Sequence, residues 1–284
     1  MTPPDLCDEM KKMNLIFFRI TLILYTGGSL LFLLSFSFPF GRLLPWGAKV
    51  FSLGFLTHSA TFLIRWWEGR QAPCASLHES FSFFAWGLMG VFLLLRKRKK
   101  VDVLGAFVGI LALLMLLGAC LTPKEIVPLP PVLQSLWLPI HVILAFSGDG
   151  AFALAFCAGV MYLIQEHMLK NKRFGPLSRR LPSLEVLDEI NYRCLTIGFP
   201  LLSVGIITGA IWARYAWGSY WSWDPKETWS FITWLIYAAL LHQRLTIGWR
   251  GRKAAIMAIV GFGAVIFTFL GVNFLLGGLH SYTF

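Results

Sequence analysis

Two kinds of residue in this chain can do chemistry, and they lie at related depths. The first is histidine, at His58, His78, His141, His167, His242 and His280. The second is tryptophan, concentrated from Trp217 to Trp234 in the string WGSYWSWDPKETWSFITW, which holds five tryptophans and one tyrosine in eighteen residues. Aromatic rings settle at the headgroup level of a membrane, but a boundary belt needs only one or two per helix end. A run this dense can build a flat shelf wide enough to stack a planar macrocycle, and imidazole nitrogen is a common axial ligand of haem iron. A porphyrin is therefore the first ligand to consider.

The histidines sort by position. His141 opens one apolar segment and His280 follows the last, so both flank the aromatic loop on one face and can clamp an iron from two sides. His58, near the middle of the second apolar segment, and His242, toward the inner end of the seventh, lie inside the membrane, where an ionisable side chain is costly and points to function by default. A single intramembrane histidine can also be a hydrogen-bonded packing residue, and an interfacial one can be merely solvated. His78, in an outer loop, and His167, in an inner one, have no evident mates.

The loop's candidate binding residues are Trp217, Trp221, Trp223 and Asp224. Trp217 and Trp221 are four apart, so a helical turn there would put both rings on one side. Asp224 at N-cap, Pro225 at the first helical position and Glu227 three residues on match a capping box. Capping alone can require Asp224 and Glu227, but it leaves the three tryptophans unaccounted for. Asp149, in Ser147-Gly148-Asp149-Gly150, must be protonated or paired inside its apolar segment, or else mark a local kink. Arg65, Arg70 and Arg214 stand at outer helix ends within reach of ligand carboxylates, where snorkelling arginines are also common.

The elements that must position these residues are transmembrane helices. The 284 residues are 57% hydrophobic and 14% charged, with a mean hydropathy of +0.67, far more apolar than soluble domains. Apolar runs near the ~20 residues needed to cross a ~30 Å hydrocarbon core recur along the chain, and the alternation of a transmembrane β-barrel is absent. The fold class is all-α, a polytopic bundle of about eight spans, at roughly 14–36, 48–65, 80–95, 101–121, 140–165, 194–213, 228–247 and 254–275. Residues 1–284 form a single integral membrane domain, and residues 214–227 form its Trp-rich loop. The first run reads as a retained helix rather than a cleaved signal peptide.

The net charge of +11 does not point to nucleic acid, because the basic residues cluster between apolar segments: Arg96 to Lys100, Lys170 to Arg180, and Arg250 to Lys253. These clusters should be cytoplasmic, with the Trp-rich loop, the Thr122–Pro139 loop and both termini outside. Lys11, Lys12 and Arg19 fit this poorly and leave a seven-span alternative open. The five cysteines show no C-x-x-C-H or zinc spacing, which argues against haem held covalently by this chain. Cys7 and Cys74 are the two placed for redox chemistry; Cys120, Cys157 and Cys194 read as small hydrophobes.

The string WGSYWSWDPKETWSFITWLIYAALLHQR resembles the tryptophan-rich WWD signature of the haem-handling protein superfamily, in the version carried by CcsA/ResC-type cytochrome c assembly proteins. Further matching pieces are His58 with Arg65-Trp66, then Glu79-Ser80, Trp137 to His141, Met161-Tyr162-Leu163, and Gly278-Leu279-His280-Ser281-Tyr282. The resemblance implies an eight-span bundle with His141 and His280 as outer axial ligands of haem b, and His58 and His242 as ligands within the membrane. It also implies a ResB/Ccs1-type membrane partner, apocytochrome c substrates carrying C-x-x-C-H, an indirect link to thiol-reducing proteins, and a bacterial inner or thylakoid-type membrane. The implied function is to move haem outward and present it for thioether attachment, as a subunit of a haem lyase. A haem exporter without synthase activity and a bis-histidine electron carrier are the alternatives. Gly148-Asp149-Gly150 and His78 depart from the expected pattern.

Overall fold

The structure, a computed structural model, describes residues 4–37, 43–96, 102–173 and 175–276. Ten α-helices are described: α1 (Pro4–Ser37), α2 (Leu43–Gly69), α3 (Leu77–Arg96), α4 (Gly105–Leu121), α5 (Trp137–Lys170), the short α6 (Pro176–Arg180), α7 (Leu184–Trp217), α8 (Pro225–His242), α9 (Arg252–Ile266) and the one-turn α10 (Val272–Leu275). A π turn, Gln243–Ile247, prolongs α8, and a second, Phe267–Gly271, joins α9 to α10. No strand occurs among the described residues.

Five of these segments are long and apolar enough to cross a membrane unaided: Glu9–Ser35, Leu77–Arg96, Trp137–Lys170, Leu184–Trp217 and Arg252–Leu275. α4 is apolar but shorter. α2 carries Lys49, Arg65 and Glu68, and α8 carries Lys226 and Glu227, which dilute their hydropathy. With these three, all eight expected segments are helical.

The ends of the helices separate into two faces. On one, an Arg180 guanidinium N–H donates to the Ser35 carbonyl at 3.1 Å. There too Arg244 pairs with Asp188 at 2.7 Å, and the Gly251 amide donates to the same carboxylate. The described basic residues Arg96, Lys170 to Arg180 and Arg250 to Lys253 belong to this face. On the other, Arg65 donates to the Lys124 carbonyl at 3.0 Å, Gln71 to the Val127 carbonyl at 2.7 Å, and the Trp212 indole to the Leu133 carbonyl at 3.2 Å. The Trp-rich loop follows Trp217 on this second face.

α5 is the central rod, packed against α7, α3 and α9. Its closeness to two neighbours comes from glycine. A Cβ at Gly148 would lie 3.0 Å from the Leu202 nitrogen of α7, and a Cβ at Gly150 would lie 2.7 Å from the Gly87 backbone of α3. Backbones approach this closely only where side chains are missing. The Gly-Asp-Gly motif therefore marks a double seam rather than a kink: α5 runs unbroken from Trp137 to Lys170.

Candidate functional site

A cavity of about 280 Å³ opens among the second-face halves of α5, α7 and α8 and the π turn after α9, with Cys74 and Leu133 contributed by the loops of that face. Most of its wall is aliphatic and aromatic. Its polar lining includes His141 and Asp149 from α5, Tyr220 from the Trp-rich loop, Lys226, Glu227, Ser230 and Thr233 from α8, and Thr268 from the π turn.

His141 stands one turn into α5, half-buried, with Nδ1 2.7 Å from the Gly205 carbonyl of α7. A carbonyl only accepts, so Nδ1 carries the proton and donates. In the neutral imidazole the lone pair then lies on Nε2, the nitrogen a metal would use. Such a carbonyl partner is the usual way a ligating imidazole is oriented and made more basic.

The aromatic loop begins where α7 stops. Gly218, at φ +78°, takes the left-handed C-cap conformation and its amide donates to the Arg214 carbonyl at 3.1 Å. Helix does not continue from Trp217 to Trp221, so the expected helical turn is absent, yet both residues still line the cavity. Trp217 meets Trp212 edge to face at 4.9 Å and 74°. Trp223 departs from expectation. Its φ of +59° is unusual for a side-chain-bearing residue, it is 69% exposed, and it is not part of the cavity wall. Trp221 and Trp223 are nearly perpendicular, at 89°, so the rings form an angular corner rather than one flat shelf.

Asp224 is buried and does the capping work: its carboxylate accepts from the Lys226 amide at 3.1 Å, while Glu227 Oε2 accepts from the Asp224 amide at 3.2 Å and the Ser222 amide at 2.8 Å. The capping box fixes the end of the loop and the start of α8 together. Lys226, the next residue of that first turn after Pro225, is thereby aimed into the cavity, with Nζ 3.4 Å from Asn273 Oδ1.

Sequence reasoning passed over Lys226 and Trp212 and found no role for Asp149. The signal for Asp149 was an acid between two glycines in an apolar run, since glycines that seat α5 against α3 and α7 hold the residue between them at the cavity.

The other candidates lie elsewhere. His58 is fully buried in α2, with Nε2 2.7 Å from Ser82 Oγ and Nδ1 3.4 Å from Tyr25 Oη, and it stacks on Phe62 at 5.1 Å. His242 ends α8 and is exposed. α2 packs on α1 and α3, whereas α8 packs on α7 and α9, so the two are not brought against one another. His280 lies outside the described residues. His78 sits in the first turn of α3 rather than a loop, buried, with Nδ1 donating to the Ala119 carbonyl at 2.8 Å.

The arginines are committed. Arg65 forms a buried pair with Glu79 at 2.6 Å, Arg214 reaches the Gly218 carbonyl and the Tyr220 ring, and Arg70 is exposed. Cys74 is half-buried, and burial, with the nearby Glu79 carboxylate, pushes its thiol up, which suppresses thiolate chemistry. The side chain of Cys7 is not described.

Residues 74–280 match the family described as Cytochrome C assembly protein. The chain is 40% identical to the cytochrome c biogenesis protein CcsA of Guillardia theta, over 77% of this chain and 79% of that one. It is 38% identical to the CcsA of Synechococcus elongatus, over 83% and 86% respectively. Among solved structures it resembles the cytochrome c haem lyase CcmF, with a TM-score of 0.65 and 20% identity, over 92% of this chain but only 47% of that longer chain; this likeness establishes the shared fold. With a family match over most of its length and relatives of this similarity, the chain belongs to the cytochrome c assembly protein family.

Proposed function

We propose that this chain acts in cytochrome c biogenesis as the haem-presenting subunit of a haem lyase. It binds haem b at the Trp-lined cavity, with His141 Nε2 and His280 as axial ligands, and holds it for attachment to C-x-x-C-H apocytochromes. The observation that carries this reading is the tautomer of His141: its Nδ1–H donates to the Gly205 carbonyl, which in the neutral ring puts the lone pair on Nε2 of a residue that lines the same cavity as Trp217 and Trp221. The names of the similar proteins, cytochrome c biogenesis protein and cytochrome c haem lyase, fit it.

Haem supplies the vinyl groups. In attachment, the S–H of the apocytochrome adds across a vinyl double bond, sulfur to the ring-side carbon and hydrogen to the terminal carbon, with no net electron transfer. The part of this chain is to hold and orient. His141 fixes the position of the iron, Trp217 and Trp221 bound the ring and exclude water, and the capping box holds the loop in place. Holding reacting groups in one geometry is worth several orders of magnitude in rate.

The loop of residues 214–227 faces the extracytoplasmic side in this reading, and a ResB-type membrane chain is the partner. The bis-histidine carrier reading is weakened because both ring nitrogens of His58 already have hydroxyl partners within hydrogen-bonding distance. An exporter differs from a lyase subunit in whether reporter cytochromes mature when this chain is present with its partner.

The test is the reduced-minus-oxidised absorption spectrum of the detergent-purified protein beside His141→Ala. The expected result is a b-type spectrum that weakens or shifts in the variant and recovers with added imidazole. Co-purified haem with a spectrum indifferent to His141→Ala would overturn the assignment.

A further inference from the structure

We propose that Lys226 binds a propionate of haem inside the cavity and so selects the propionate edge to enter first, with Asp149 as the counter-ion that Lys226 exchanges for it. The proposal rests on haem being the ligand of this cavity.

Haem carries its two propionates on the side of the ring away from its two vinyls. Attachment needs the vinyls at an opening that a peptide thiol can reach, which leaves the propionates for the interior. A carboxylate taken into an apolar cavity must meet a cation there. Arg65 is bound to Glu79 and the Lys124 carbonyl, Arg214 to the Gly218 carbonyl, and Arg70 is exposed. The described cation that lines the cavity is Lys226.

The groups around it set the balance of charge. From α5, Asp149 lines the same cavity as Lys226. From α10, Asn273 offers a neutral oxygen at 3.4 Å. On α8 itself, Glu227 is occupied by the Ser222 and Asp224 amides. His141, also from α5, lines the same cavity. An acid and an amine held in a mostly apolar wall within a membrane are expensive, which is a mark of function rather than packing. At about 280 Å³ the cavity falls just below the ~300–1,000 Å³ of ordinary ligand pockets. Only one edge of a macrocycle enters, so a device that chooses the edge has an effect.

The experiment titrates the haem-depleted full-length protein in detergent with haem b and, separately, with its dimethyl ester, in which the propionates are uncharged. The wild type should prefer the acid. Lys226→Met should weaken haem binding about tenfold, the scale of one charge-assisted hydrogen bond, and leave the ester unchanged. Lys226→Arg should keep the preference, which a purely structural role would not predict, and Asp149→Asn should increase it. The same acid-to-ester ratio in wild type and Lys226→Met would overturn the role of the lysine while leaving the haem site standing. Binding of neither probe in a His141-dependent way would overturn the haem site and this proposal together. A preference lowered by Asp149→Asn would overturn the counter-ion exchange.

Discussion

His141 and Gly209 share a space that one methyl group would fill: a Cβ built on Gly209 would lie 2.7 Å from Nδ1 of the imidazole. Gly205, whose carbonyl accepts the Nδ1 proton, is one turn earlier on the same face of α7. One strip of helix thus supplies both the hydrogen bond that sets the tautomer and the gap into which the ring fits.

Gly209→Ala should therefore push the imidazole off the Gly205 carbonyl. We expect weaker haem binding at the cavity and a loss of stability of about 1–3 kcal/mol from overpacking. Gly263→Ala is the control, because a Cβ there has no neighbour within 4 Å. Haem titration and thermal unfolding in detergent read both effects. A Gly209→Ala protein that matches wild type in each would show that the close approach constrains nothing.

The pair of Arg65 with Glu79 anchors two loops of the cavity face. Glu79 Oε2 accepts from the Ala75 amide at 2.7 Å and the Ser76 amide at 3.1 Å, and Arg65 holds the Lys124 carbonyl. Arg65→Met leaves a buried carboxylate uncompensated and should cost about 3–5 kcal/mol. Limited proteolysis should then cut within residues 122–136 sooner than in wild type. Unchanged protection would mean that the loops are held by other contacts.

Tyr237 stacks on Phe152 at 3.5 Å and 6°, yet its hydroxyl is fully buried with no hydrogen-bond partner. Tyr237→Phe keeps the stack and removes a desolvated polar group, so stability should hold or rise by about 1 kcal/mol. A clear fall in the unfolding temperature would reveal a bridging water at that hydroxyl.

Orientation is testable by chemical labelling. In a background with the native cysteines replaced by alanine, Ser222→Cys on the loop should react with a membrane-impermeant maleimide in intact cells. Lys172→Cys, exposed on the opposite face, should react only after permeabilisation. The reverse pattern would invert the assigned sidedness.

The helices were legible in the sequence because burial in lipid demands long apolar runs, and all eight expected runs are helical. Their lengths were not. α5 continues past its apolar stretch to Lys170, where a Lys170–Glu166 pair at 2.9 Å supports a polar turn that has no hydropathy signal. The capping box at Asp224 was readable because it is local. The direction of Trp223 was not, since it depends on the sign of one backbone angle. His58 was singled out for its depth in the membrane, but whether its nitrogens are engaged is decided by Tyr25 and Ser82 on two other helices, beyond the reach of linear spacing. Asp149 carried a visible signal whose meaning depended on what its flanking glycines touch.

The glycine seams of α5 give the cavity walls unequal stiffness. The wall that carries His141 and Asp149 meets α7 and α3 backbone to backbone at Gly148 and Gly150, where no side chain lies between to yield, so it behaves as a fixed anvil. The facing wall of α8 and α9 includes the π turn Phe267–Gly271, which supplies Thr268 and Phe269 to the cavity, and π turns are mostly found where a helix does functional work. Ligand exchange through this cavity would thus be timed by a register shift at the end of α9, while the wall that carries His141 keeps its place.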